Sequence, residues 1–154
     1  MTEKKENETV QGFVTIHIPS RYGYLRVLRQ SVLDTCVRAG LSEFDAAQLE
    51  MAVDEACANI IEHSYGGETP PEADGQNAGI HINLIQKQDR VMVEIYDHGQ
   101  GFDFEDYKFM NPEDYLDGEH DRGLGMYIIH RFVDQLSYER GTPSGNYLRL
   151  TKLL

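Results

Sequence analysis

The chain has 154 residues, the length of one ordinary domain, with 14 Lys+Arg against 26 Asp+Glu and a formal net charge of -12. That balance, without any local cluster of Lys or Arg, excludes duplex nucleic acid and anionic membrane surfaces as direct partners. The two cysteines, Cys36 and Cys57, lack CxxC spacing and lie in apolar helical patterns, so they read as buried free thiols of a reducing compartment. The charged N-terminus and the lack of any run of about eighteen apolar residues argue against a signal peptide or membrane span, which predicts a cytoplasmic protein.

Residues 1–11 are polar, mixed in charge and free of aromatics, the composition of a mobile tail; residues 12–154 form the single domain. In "FVTIHIP", Val14, Ile16 and Ile18 alternate with Thr15 and His17, a strand with one wet face stopped by Pro19. Over 21–39 the apolar residues follow the helical period, and Gly40 stands where a C-terminal cap belongs. Ser42 and Asp45 suggest a capping box before a second helix, whose buried stripe is Leu49, Val53, Ala56, Cys57 and Ile60. The polar side of this helix sets Glu55, Asn59 and His63 at intervals of four, which alone is the wet face of any surface helix.

"GGETPPEADGQNAG" is a surface loop, rich in Gly, Pro and acid. Ile80, Ile82 and Leu84, then Val91, Val93 and Ile95, alternate with polar neighbours and predict a hairpin through "QKQDR". The second of these strands runs into "DHGQGFD". After an acidic, aromatic-studded stretch, "RGLG" opens a third helix with an inner face of Ile128, Ile129, Phe132, Val133 and Leu136. Two strands around "QLSYER" and "NYLRLTKL", separated by "GTPSG", close the chain. The alternation predicts a two-layer α+β sandwich, a mostly antiparallel sheet with helices on one face, rather than a doubly wound parallel sheet.

The glycine pairs are not dinucleotide fingerprints: Phe104 and Ile128 occupy the positions where a third glycine is required. There is no P-loop, no HExxH, no Cys/His zinc spacing and no GxSxG elbow. What remains is an ordered set: Glu55-x3-Asn59 on a helix, Asp97-x-Gly99-x-Gly101 at a strand end, and Gly123-Leu124-Gly125 at a helix start.

This order and context resemble the N, G1 and G2 boxes of the GHKL superfamily, which joins gyrase, a heat-shock chaperone, histidine kinases and mismatch-repair ATPases. The wording "AVDEACANIIEHSY", "VEIYDHGQGFD" and "RGLGMYIIHRFVD" is similar, more narrowly, to the bacterial anti-sigma factor and serine-protein kinase family, from about residue 13 to the C-terminus. The resemblance implies a Bergerat-type ATP-binding fold with ATP and Mg²⁺ as cofactors. Glu55 would be the general base and Asn59 the Mg²⁺ ligand, its amide oxygen a hard donor that suits an ion held mainly by phosphate and water. Asp97 would accept from the adenine amino group, with Gly99 and Gly101 letting backbone approach the purine. Arg122, Gly123, Leu124, Gly125 and Met126 would border the phosphates, where helix-terminal amides can face anionic oxygens. His63 continues the stripe but reads better as a partly buried helix-end histidine.

The implied function is an anti-sigma factor that phosphorylates a serine or threonine of a STAS-domain anti-anti-sigma protein and holds a sigma factor as second partner. The resemblance also allows a homodimer. The alternative is a nucleotide-binding regulatory module without phosphotransfer; a detached histidine-kinase catalytic domain is the third reading. One departure stands out: the stretch 104–122, the family's ATP lid and the expected nucleotide-gated segment, is acidic, with Lys108 and Arg122 as its only cations.

Overall fold

The computed structural model describes residues 9–75, 78–102 and 121–154, with the side chains of 121–124 outside that description. Among the described residues five strands form one sheet in the order β1-β2-β3-β5-β4, where β1 is Gly12–Pro19, β2 Gly79–Gln86, β3 Arg90–Asp97, β4 Gln135–Thr142 and β5 Gly145–Leu153. Every pairing is antiparallel. The register aligns the alternating residues: Ile18 faces Ile80, Ile82 faces Ile95 and Ile95 faces Leu148, all on the covered side. On the opposite side His17, His81, Tyr96 and Tyr147 form one cross-strand row.

Of the described residues, those of α1 (Leu25–Ala39), α2 (Glu43–Asn59) and α3 (Asp121–Phe132) cover the apolar face. Leu28, Val32 and Cys36 of α1, Leu49, Val53 and Cys57 of α2, and Met126 and Ile129 of α3 join the sheet residues in one buried cluster. The chain is therefore the two-layer α+β sandwich that the alternation predicts, with α2 packed between its two neighbours. Both cysteines are buried and free, and burial pushes the Cys36 thiol up to about 12.

Local signals explain the helix ends. A 3₁₀ turn, Tyr22–Tyr24, precedes α1, which therefore starts later than its periodicity suggests. Gly40 ends it at φ 97, a left-handed conformation that favours glycine, and the Leu41 N–H reaches back to the Cys36 carbonyl at 3.0 Å. At the start of α2 the Ser42 hydroxyl accepts from the Asp45 N–H at 3.0 Å.

The third helix departs from expectation. Its described span, Asp121–Phe132, holds "RGLG" in its first turn as expected but stops short of the expected inner face. Met126 and Ile129 are its deeply buried residues, while Ile128 and Phe132 are half-buried, Val133 lies in the connector and Leu136 on β4. The chain must turn there to bring β4 beside β5, and the buried Lys152 ammonium bonds the Phe132 carbonyl at 3.1 Å and the Gln48 side chain at 2.8 Å. Among the described residues no helix is long and apolar enough to cross a membrane.

Candidate functional site

Asp97 ends β3 as a buried carboxylate inside a built network. Three donors converge on one oxygen, Oδ1: the Ser64 hydroxyl, the Gly99 N–H at 2.9 Å and the Asn146 amide nitrogen at 3.0 Å. Each donor comes from a different place in the chain. Ser64 ends a π-helical turn, Ile60–Ser64, that continues α2 past Asn59. Such widened turns recur at functional sites because they rotate the residues beyond them out of the helical phase. Asn146 faces Asp97 across the β3–β5 ladder, next to a register shift between Glu139 and Thr142 in β4.

The loop after Asp97 is tied to the same turn. The Gln100 N–H donates to the Ser64 carbonyl at 2.8 Å, the Gly101 N–H to the Ser64 hydroxyl at 2.9 Å, and the Gln100 side chain to the His63 carbonyl at 2.8 Å. Gly99 is pressed against this turn so closely that an added Cβ would lie 2.4 Å from the Ser64 carbonyl oxygen. Only glycine fits there. The Tyr65 hydroxyl accepts from the His98 N–H at 2.9 Å and donates to the Gly79 carbonyl at 2.7 Å, which fixes the loop to β2 as well.

A second cluster lies where α2 meets α3. An added Cβ on Gly125 would sit 2.7 Å from Glu55 Oε2 and 3.6 Å from Asn59 Nδ2, so the start of α3 rests directly on the Glu55–Asn59 stripe. Asn59 is buried, and its amide nitrogen points to the Met126 sulfur at 3.4 Å. Glu55 is half-buried; burial, with the nearby Asp54 charge, raises its pKa above the ordinary glutamate value.

Several expected site residues are therefore brought together, and others are placed differently. Glu55 and Asn59 share one helix face with Gly125 against them; Asp97, Gly99 and Gly101 form the neighbouring loop cluster. Met126 is a core residue whose sulfur meets Asn59. Gly125 stands past the first four amides of α3, so its contribution at this point is the missing side chain opposite Glu55. His63 falls in the π turn, out of step with Glu55 and Asn59, with a mostly buried ring 3.8 Å from Glu62. The side chains of Arg122 and Leu124 and the surroundings of Gly123 lie outside the described residues, as does the expected lid over most of 104–122.

Sequence reasoning missed Ser64 and Asn146. Ser64 looks like an ordinary serine at a helix end, and helical spacing sets it off the Glu55 stripe. Asn146 follows "GTPSG" and reads as the first residue of the last strand, with nothing to single it out. Only the sheet order, which inserts β5 between β3 and β4, sets it beside Asp97.

Comparison with known proteins bears on what these residues serve. A family model described as the histidine kinase-like ATPase domain matches residues 18–152. A serine-protein kinase RsbW of Bacillus pumilus is 28% identical over 152 residues, spanning 96% of this chain and 89% of the relative. The serine-protein kinase RsbW of Bacillus subtilis is 25% identical over 146 residues, spanning 92% and 86%. Among solved structures, the RsbU and RsbW domains of a Mycobacterium tuberculosis protein match with a TM-score of 0.59 at 19% identity, over 91% of this chain and 32% of that one. The SiaB–SiaC complex of Pseudomonas aeruginosa matches with a TM-score of 0.57 at 11% identity, over 94% and 89%. These two structures share the fold.

Proposed function

Since the chain belongs to the histidine kinase-like ATPase domain family, we propose that it is an ATP-dependent serine/threonine-protein kinase acting as an anti-sigma factor in a partner switch. Its substrate is a serine or threonine of a STAS-domain anti-anti-sigma protein, and its second partner is a sigma factor held inactive by binding. A cytoplasmic homodimer belongs to the same reading. The serine-kinase names of its relatives support the activity.

The observation that carries the nucleotide part is the one-sided bonding of Asp97. With three donors on Oδ1, the other oxygen receives none of these bonds and is the acceptor for an adenine amino group. The donor set also suits Mg²⁺. The ion would rest on phosphate oxygens and water with the Asn59 amide oxygen as protein ligand. When bound, ATP·Mg²⁺ supplies the γ-phosphoryl group. Asn59 would then hold the metal, Glu55 would take the proton from the attacking hydroxyl as ADP leaves, and the first amides of α3, around Gly123, would serve the phosphates. Burial makes Glu55 a stronger base than an exposed glutamate, which suits that task.

Incubation with γ-labelled ATP, Mg²⁺ and a STAS-domain protein tests the reading. The expected product is acid-stable phosphoserine or phosphothreonine on that protein. Bound ATP without transfer would leave a regulatory module, acid-labile label would indicate histidine chemistry, and absence of nucleotide binding would overturn the reading altogether.

A further inference from the structure

The loop after Asp97 has spent its backbone hydrogen-bond donors. The His98 N–H goes to the Tyr65 hydroxyl, the Gly99 N–H to Asp97 Oδ1, the Gln100 N–H to the Ser64 carbonyl and the Gly101 N–H to the Ser64 hydroxyl. Because the Ser64 oxygen already accepts from Gly101, its single proton is directed to Asp97. Asn146 is equally constrained. Its Oδ1 accepts from the Gly141 N–H at 3.0 Å, and its amide nitrogen serves both Asp97 Oδ1 at 3.0 Å and the Gly99 carbonyl at 2.9 Å. A flipped amide would set its oxygen against two acceptors, so the orientation is unique.

We infer that Ser64 and Asn146 are specificity-determining positioning residues, which hold Asp97 by Oδ1 so that its second oxygen is offered to a base as an acceptor. The inference rests on the nucleotide reading above and deepens it. A 6-amino purine finds a carboxylate oxygen. A 6-oxo purine, such as hypoxanthine or guanine, meets that same oxygen with its own acceptor and finds no free backbone N–H among residues 98–101 to compensate. Discrimination then comes from the mismatch as much as from the match. Both residues act through Asp97 and need not touch the base.

The test is competition binding of ATP and ITP, which differ at the purine 6-position, to the wild-type chain and to Ser64→Ala, Ser64→Thr and Asn146→Ser. The wild type should prefer ATP by about a hundredfold, the scale of one hydrogen bond to a charged group exchanged for an unpaired acceptor. Ser64→Ala and Asn146→Ser should lower that ratio about tenfold, and Ser64→Thr, which keeps the hydroxyl, should restore it. A merely structural role would weaken both nucleotides together; an unchanged ratio therefore overturns the inference. Equal wild-type affinities would remove Asp97 as base reader while leaving nucleotide binding intact, and no binding of either triphosphate would overturn both readings. If the variants fail to fold, hydrogen exchange on the wild type decides. The Gly99 and Gly101 amides must be protected in the free protein, and rapid exchange at both would refute the network.

Discussion

Glu55 is the residue at which the proposed function sets stability against chemistry. Its folded-state pKa is raised, first by burial and then by Asp54, so its contribution to stability is fully present below the unfolded value of about 4.3 and lost as pH rises through the folded value. At neutral pH the ionised carboxylate therefore costs folding free energy. Glu55→Gln should raise the melting temperature at pH 7, with the gain vanishing near pH 3, and should slow phosphotransfer by about 10²–10⁴-fold while ATP still binds. A melting temperature equal to that of the wild type at both pH values would contradict the burial argument; an unchanged rate would remove Glu55 from the mechanism.

At the scale of elements, the two glycine contacts differ in what they press against. The methyl added by Gly99→Ala would meet backbone, 2.4 Å from the Ser64 carbonyl oxygen and 2.6 Å from its carbon, where neither the loop nor the π turn can yield cheaply. Gly125→Ala would crowd the far end of the Glu55 side chain and touch Asn59 at ordinary contact distance, and alanine is the better helix former by about 1 kcal/mol. In urea titrations Gly99→Ala should lose about 1–3 kcal/mol, whereas Gly125→Ala should keep or gain stability. The same Gly125→Ala protein should transfer phosphate more slowly, since Glu55 is displaced. Equal losses of stability in the two variants would mean that α3 does not rest on Glu55 as described.

For the whole molecule, one continuous core spans both layers, and the two thiols report on it. Cys36 on α1 and Cys57 on α2 are both fully buried, and burial alone holds the Cys36 thiol up to about 12, with Cys57 raised too. Neither can react as a thiolate without being exposed. An aromatic disulfide reagent at pH 8 should leave both untouched in the native protein, and their slow modification should track the global unfolding equilibrium measured by denaturant. Stoichiometric labelling within the dead time of mixing would show that the helical layer opens independently of the sheet.

The fold was legible in the chain because its signals are local. Alternation in 80–84 and 91–95 specifies strands with one buried face, Gly40 and Ser42 mark helix ends, and the order of Glu55, Asn59, Asp97, Gly99 and Gly101 carries the family resemblance. Each is readable within a few residues because backbone sterics and burial periodicity act at that range. The surroundings of Asp97 were not legible. Ser64 reaches it through a π turn that no apolar period announces, and Asn146 through a strand order that brings residues far apart in sequence into register. The inner face of α3 was overextended for a related reason, since the chain leaves the helix at Phe132 to bring β4 beside β5. Sequence thus determined which residues could form a nucleotide site. Tertiary structure decided which oxygen of Asp97 is left to accept, because that depends on donors supplied by three separate segments of the chain.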